Sequence, residues 1–152
     1  MKRKIGYCGN ICDYCPLYIA TESGDKDKLA RVAILWHKVG VRPQILPPEE
    51  MACHGCTPDK TCPFGIIKCA LEKNVNDCGG CPEYPCPNLK SRLDFIPQLS
   101  EDWKKVCTKE EYDLVHRVFF WQKKENLDKA HEKYLANKRD KIARRNIQVD
   151  GE

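Results

Sequence analysis

Cys12-Asp13-Tyr14-Cys15-Pro16-Leu17-Tyr18 returns later in the chain as Cys78-Gly79-Gly80-Cys81-Pro82-Glu83-Tyr84, so the pattern C-x-x-C-P-x-Y occurs twice. Cys53-His54-Gly55-Cys56 is a third C-x-x-C turn, and Cys8, Cys62, Cys69 and Cys86 lie close by. Two intervening residues let both thiolates of such a turn point at one ion, and small residues free backbone N–H groups to bond the sulfurs. Gly55, Gly79 and Gly80 meet that requirement. Ten of the eleven cysteines fall in the first 97 residues. Cys107 stands alone between Val106 and Thr108 and reads as a small buried hydrophobe.

A cysteine-rich half of this size needs a staple, which is either disulfide or metal. Met1-Lys2-Arg3-Lys4 is basic, but Ile5-Gly6-Tyr7-Cys8-Gly9-Asn10 supplies no apolar stretch behind it, so a signal peptide is not expected. No apolar run is long enough to predict a membrane span. The expected compartment is therefore the cytoplasm, where thiols stay reduced, and an odd number of cysteines also fits complete disulfide pairing poorly. Metal is the favoured staple. One structural zinc supplies roughly 10–16 kcal/mol to folding, against typically 2–5 for one disulfide, so one or two ions suffice.

Composition divides the chain. All ten prolines and eight of the nine glycines precede Gln98, and neither residue occurs between Gln98 and Asp150. The division predicts a cysteine-rich metal-binding module over residues 1–97, with a helical C-terminal segment over 98–152 that packs on it and ends in a basic tail. The expected fold class is mainly α, with irregular cysteine-rich loops stabilised by metal. Pro16 is placed to open a short helix through Ala20. Asp25 to Val39 reads as a stronger helix, with Leu29, Val32, Ala33, Trp36 and Val39 on one face and Gly40 as its cap. Residues 41–65 read as loop. A helix over about Gly65–Lys73 carries Cys69, with Asn74 suited to a left-handed cap. Asn88 is an expected N-cap for a helix that Pro97 stops. Thr108-x-x-Glu111 is a capping box, and Tyr112, Leu114, Val115, Val118, Phe119 and Trp121 form an apolar stripe behind it. Residues 123–145 carry nine Lys or Arg against four Asp or Glu. They read first as a solvated amphipathic helix, and second as an arm for RNA or an acidic partner. The net charge of +4 is too mild to imply nucleic acid by itself.

The ten candidate ligands are Cys8, Cys12, Cys15, Cys53, Cys56, Cys62, Cys69, Cys78, Cys81 and Cys86. By proximity in sequence, Cys53, Cys56, Cys62 and Cys69 make one closed four-thiolate set. By the repeat, Cys12 and Cys15 join Cys78 and Cys81 in a second set. A split with Cys8, Cys12, Cys15 and one later thiolate is equally legal. Cys8-x3-Cys12-x2-Cys15 is also the spacing by which radical S-adenosylmethionine enzymes hold a [4Fe–4S] cluster. The chain has neither the length nor the βα repeats of their barrel. A thioredoxin-type use of C-x-x-C fails for want of a βαβ setting. His54 next to Cys53 is no nucleophile–base pair, because sequence neighbours do not aim at each other. His37, His116 and His131 fall on helices and read as surface or packed residues.

The cysteine order resembles domain-of-unknown-function family 3795, small cysteine-rich proteins of anaerobic bacteria and archaea. The resemblance rests on Cys8-Gly9-Asn10-Ile11-Cys12-Asp13-Tyr14-Cys15-Pro16-Leu17-Tyr18-Ile19-Ala20 and on Cys53-His54-Gly55-Cys56. It continues in Cys69-Ala70-Leu71-Glu72-Lys73-Asn74-Val75, with Asn74 where the family has glycine, and in Cys78 through Cys86. It covers about residues 5–90, and it implies metal binding and an anaerobe's cytosol, which leans toward iron–sulfur. It implies no activity. The functional expectation is a cysteine-ligated metal-binding protein, zinc favoured, acting as an accessory or interaction protein with a protein partner rather than as an enzyme. The alternative is an iron–sulfur redox or sensor protein with a [4Fe–4S] cluster. Nucleic-acid binding is the weaker reading, because the knuckles lack interleaved basic and stacking residues. No membrane role is expected.

Overall fold

Asp25 begins the helix that supplies most of the main hydrophobic core. Its carboxylate accepts from the N–H groups of Asp27 and Lys28, capping α2 (Lys26–Lys38). At the other end Gly40 takes a positive φ of 79°. Its N–H bonds the carbonyl of His37 while that of Val41 bonds Trp36, the paired closure of a Schellman motif. Between these caps Leu29, Val32, Ala33, Leu35 and Trp36 are buried, together with Val39 just beyond.

Against α2 packs α1 (Pro16–Ser23), which starts at Pro16 and extends past Ala20 to a left-handed Gly24. Further along the chain lies α3 (Ile66–Glu72). α4 (Pro87–Val106), α5 (Lys109–Phe119) and α6 (Lys123–Asp150) complete the set. The computed structural model describes residues 4–150, so Met1, Lys2 and Arg3 of the basic opening and the last two residues lie outside it. Among the described residues there is no strand, and pairing is limited to one antiparallel bridge between Ile5 and Ile11. None of the described helices is long and apolar enough to cross a membrane.

One core serves both compositional halves. Leu17 and Ala20 of α1, the buried face of α2 and Met51 meet Trp103 of α4 and Val115 of α5. Phe119 sits between two indoles, with ring centroids 5.7 Å from both Trp36 and Trp103. Cys107 packs half-buried against the same cluster. The capping box at Thr108 is present in both directions. Of the stripe behind it, Val115 and Val118 are buried, while Leu114 faces solvent at 43% exposure.

Two boundary expectations are corrected. Pro97 does not stop its helix: α4 runs through it to Val106, crossing the compositional break at Gln98. A mid-helix proline costs about 3 kcal/mol. Leu89, 2% exposed, and Trp103, 6% exposed, are buried on either side of it. Burying two such side chains contributes a comparable amount, and the proline itself lies on the solvent side. Nor does Asn88 cap α4. The helix starts two residues earlier, with Cys86 at the N-cap and Pro87 at the first helical position, where its missing N–H goes unneeded. Asn88 instead donates to the Phe64 carbonyl and accepts from Arg92.

Candidate metal centre

The cysteines gather in two places, and neither is the grouping that proximity in sequence predicts. At the first, the 3₁₀ turn Cys12–Tyr14 leads directly into α1, so Cys12 and Cys15 flank one tight turn closed by the Cys15 N–H on the Cys12 carbonyl. Cys15 is the N-cap residue of α1, where the backbone N–H groups of Tyr18 and Leu17 favour its thiolate but burial outweighs them. Cys53 and Cys56 arrive from the long loop. Met51, 3% exposed, anchors that loop in the core, and the Cys53 N–H donates to the Thr21 hydroxyl at 3.0 Å. Gly55 turns the loop at φ 91°, where a Cβ would lie 2.8 Å from the Lys4 side chain. Lys4 crosses that turn, donating to the His54 carbonyl and the Tyr18 hydroxyl.

Electrostatics ties these four sulfurs together. Burial, and then the neighbouring Cys56, Cys15 and Cys53, push the Cys12 thiol up to about 11. Burial raises Cys15 and Cys56 as well. In the middle of the group the Lys60 ammonium donates to Cys53 Sγ at 2.9 Å and also attracts Cys12 and Cys56. Although burial opposes it, contact with these sulfurs raises the lysine's own pKa. Four thiolates in this space would repel one another, and a cation among them offsets part of that repulsion.

At the second place Cys69 of α3 and Cys78, Cys81 and Cys86 line a cavity of about 170 Å³, together with Ala70, Val75 and Leu89. Burial, reinforced by Cys8, Cys86, Cys69 and Cys81, pushes the Cys78 thiol up to about 12. The loop carrying three of these cysteines is pressed onto α6. A Cβ on Gly79 would fall 2.4 Å from the Leu127 carbonyl oxygen and 2.7 Å from Ala130 Cβ, so only glycine fits. His131 Nδ1 lies 2.9 Å from the Gly79 carbonyl, and the Tyr84 hydroxyl donates to Asp128 at 2.5 Å. That bond, after burial, raises the Tyr84 pKa, while Lys124 and then Tyr84 hold the Asp128 carboxyl below its usual range.

The self-contained set of Cys53, Cys56, Cys62 and Cys69 is therefore split. Cys53 and Cys56 lie beside Cys12 and Cys15, while Cys69 lines a cavity with Cys78, Cys81 and Cys86, so the two copies of C-x-x-C-P-x-Y fall in different groups. The cause is tertiary: Met51 and Thr21 draw the loop toward α1, while α3 carries Cys69 to the other side. Cys8 lies between the two groups, coupled to Cys56 and Cys78, with the Lys123 ammonium 3.9 Å from its sulfur. Tyr7 links them too, since its backbone bonds Cys56 Sγ and its carbonyl accepts from the Cys78 N–H at 2.8 Å. Cys62, just before α3, adds to the repulsion on Cys56 without lining the second cavity. Burial works against its ionisation, but backbone N–H groups of Phe64, Ile66 and Ile67, with Arg92, lower its pKa. Lys60, Lys123 and the Tyr84–Asp128 pair carry no sequence signal that marks them as neighbours of sulfur. His131 is a packed residue, between the rings of Tyr84 and Tyr134.

Among the described residues, no three Cys, His, Asp or Glu side chains already converge as a finished metal site. The thiols of each group would have to close in to bind. Their chemistry suits a soft cation: each group offers four sulfurs, and the first adds backbone N–H donors to two of them.

No curated protein and no solved structure matches the chain. A family model described as protein of unknown function (DUF3795) matches residues 4–91, more than half of the chain and the span that holds both cysteine groups, and the chain belongs to that family.

Proposed function

We propose that the protein binds metal through two four-thiolate sites, Cys12/Cys15/Cys53/Cys56 and Cys69/Cys78/Cys81/Cys86, with zinc as the metal, and that it serves as an accessory or interaction protein. The observation that carries this reading is Lys60, whose ammonium rests 2.9 Å from Cys53 Sγ beside cysteines whose thiolate forms would repel one another. A divalent ion would supply the same attraction with twice the charge, and four thiolates close a tetrahedral shell that leaves no open position for chemistry. A closed shell fits a structural role. So does the surrounding architecture, in which each group fastens a loop to a helix: Cys53 to α1, and Cys78 through Cys86 to α6.

A second reading has one observation in its favour. The cavity at the second group, about 170 Å³, far exceeds the roughly 10–15 Å³ that one water needs, and its walls include Ala70, Val75 and Leu89. A four-iron cluster held by four thiolates would use that space, which keeps an iron–sulfur redox or sensor role as the alternative.

Metal analysis and visible absorbance of anaerobically purified protein separate the two. Zinc predicts a colourless protein with two ions per chain. Brown protein with iron and acid-labile sulfide would overturn the zinc reading, and protein that retains no metal would overturn both.

A further inference from the structure

The helix α6 is packed in its first half and bare in its second. Leu127 is 2% exposed, and Asp128 and His131 hold the loop of the second cysteine group. From Asn137 to Val149 every residue is exposed. At 1.5 Å per residue this bare part extends about 20 Å. Leu135, Ile142 and Val149 recur every seven residues, two helical turns apart, and drift only about 20° per step. They form one narrow aliphatic seam that is 39%, 50% and 75% exposed. Lys138, Arg139 and Arg145 border this seam, and Lys141 and Arg144 extend the same charge around the helix. Asp140 is the lone carboxylate between Asn137 and Val149. Among the described residues, no ion pair involves any residue beyond Asp128.

We propose that this bare half of α6 is a docking surface for an acidic amphipathic helix of a partner protein. The partner's apolar stripe would cover Leu135, Ile142 and Val149, and its flanking Glu or Asp side chains would face Lys138, Arg139 and Arg145, in the manner of a coiled-coil pair. Charge selects this occupant. A second copy of the chain would set the same cations against one another along the seam. Nucleic acid would engage the cations but leave three aliphatic side chains in water. The proposal rests on the interaction-protein reading and does not depend on which metal is bound.

The test uses the full-length, metal-loaded protein and a labelled synthetic helix of about three heptads, with leucine at the seam positions and glutamate beside them. Binding is followed by fluorescence anisotropy. Micromolar binding that weakens with salt is expected. Both Leu135→Ser/Ile142→Ser/Val149→Ser and Lys138→Glu/Arg139→Glu/Arg145→Glu should weaken it at least tenfold. If the serine variant is misfolded by circular dichroism, the charge reversal at exposed positions carries the test alone. Absence of peptide binding overturns the proposal. So does tighter binding of a single-stranded RNA oligonucleotide, or sedimentation of the unaltered chain as a dimer that the serine variant dissociates. Metal content measured on the same preparation separates the two readings. Two ions without peptide binding sinks the docking surface alone, and peptide binding by a chain that never takes up metal sinks the metal sites alone.

Discussion

The two cysteine groups are built from the same motif and differ in what holds them. The first belongs to the core. Cys15 is the N-cap residue of α1, Met51 pins the loop before Cys53, and Lys60 places a cation among the sulfurs. The second belongs to an interface, in which an apolar-walled cavity is formed by a loop whose position depends on Gly79, Tyr84 and their contacts with α6. The difference teaches that one short pattern can serve both as an extension of a helix cap and as a clamp between distant parts of the chain. The pattern presents two sulfurs and leaves their partners to the surroundings.

The largest effect that would break this comparison is loss of a ligand. Cys53→Ser and Cys78→Ser should each remove one of two metals and leave the other, as measured by metal analysis, because the groups share no cysteine. Simultaneous loss of both metals in either variant would mean one joint site. Structural zinc supplies roughly 10–16 kcal/mol in small domains, so each loss should also lower the melting temperature sharply.

Gly79→Ala should follow. Its Cβ meets a backbone oxygen at 2.4 Å, which a rotamer change cannot relieve. A destabilisation of about 3 kcal/mol is expected, at the upper end for overpacking. By contrast Gly55→Ala meets only the flexible end of Lys4, so its cost is the backbone strain of φ 91°, about 1–2 kcal/mol. Thermal denaturation of the pair ranks the two sites, and equal losses would erase the distinction between core and interface.

Tyr84→Phe removes the hydroxyl from Asp128 and should cost about 1–2 kcal/mol while loosening the second group only. Amide hydrogen exchange would then rise over residues 78–86 and 124–131 and stay level around Cys53. A rise at Cys53 would contradict the separation of the sites.

The smallest expected effect lies outside both groups. Lys38 holds the Glu111 carboxyl below its ordinary value of 4.5, the two charges standing 2.9 Å apart. The stabilisation is fully present above that value and is lost as pH falls through the lowered one. Because the pair is partly solvated, Glu111→Gln should remove no more than about 0.5–1 kcal/mol, visible as a smaller drop in stability between neutral and acid pH. Metal content should not change.

Much of the helical framework was legible because its signals are local. Asp25, Gly40, Asn74 and Thr108 each act on backbone groups within four residues, and all four cap as their residue types dictate. Pro97 misled because its cost is also local, whereas the burial that outweighs it comes from Leu89 and Trp103 meeting other parts of the chain. The grouping of sulfurs was illegible for the same reason. Nothing near Cys69 in sequence says that α3 will face the 78–86 loop, and nothing near Cys53 announces Thr21. Lys60 looks like any surface lysine until Cys53 is placed beside it.

By itself the sequence determined the helical class, the family and the existence of three paired-cysteine turns, since periodicity, caps and spacing act over a few residues. Only the tertiary structure decided which turns meet, because that choice depends on Met51, Trp103, Gly79 and Leu127 finding their places in cores and contacts. Burial is a property of the folded whole, and no stretch of chain carries it alone.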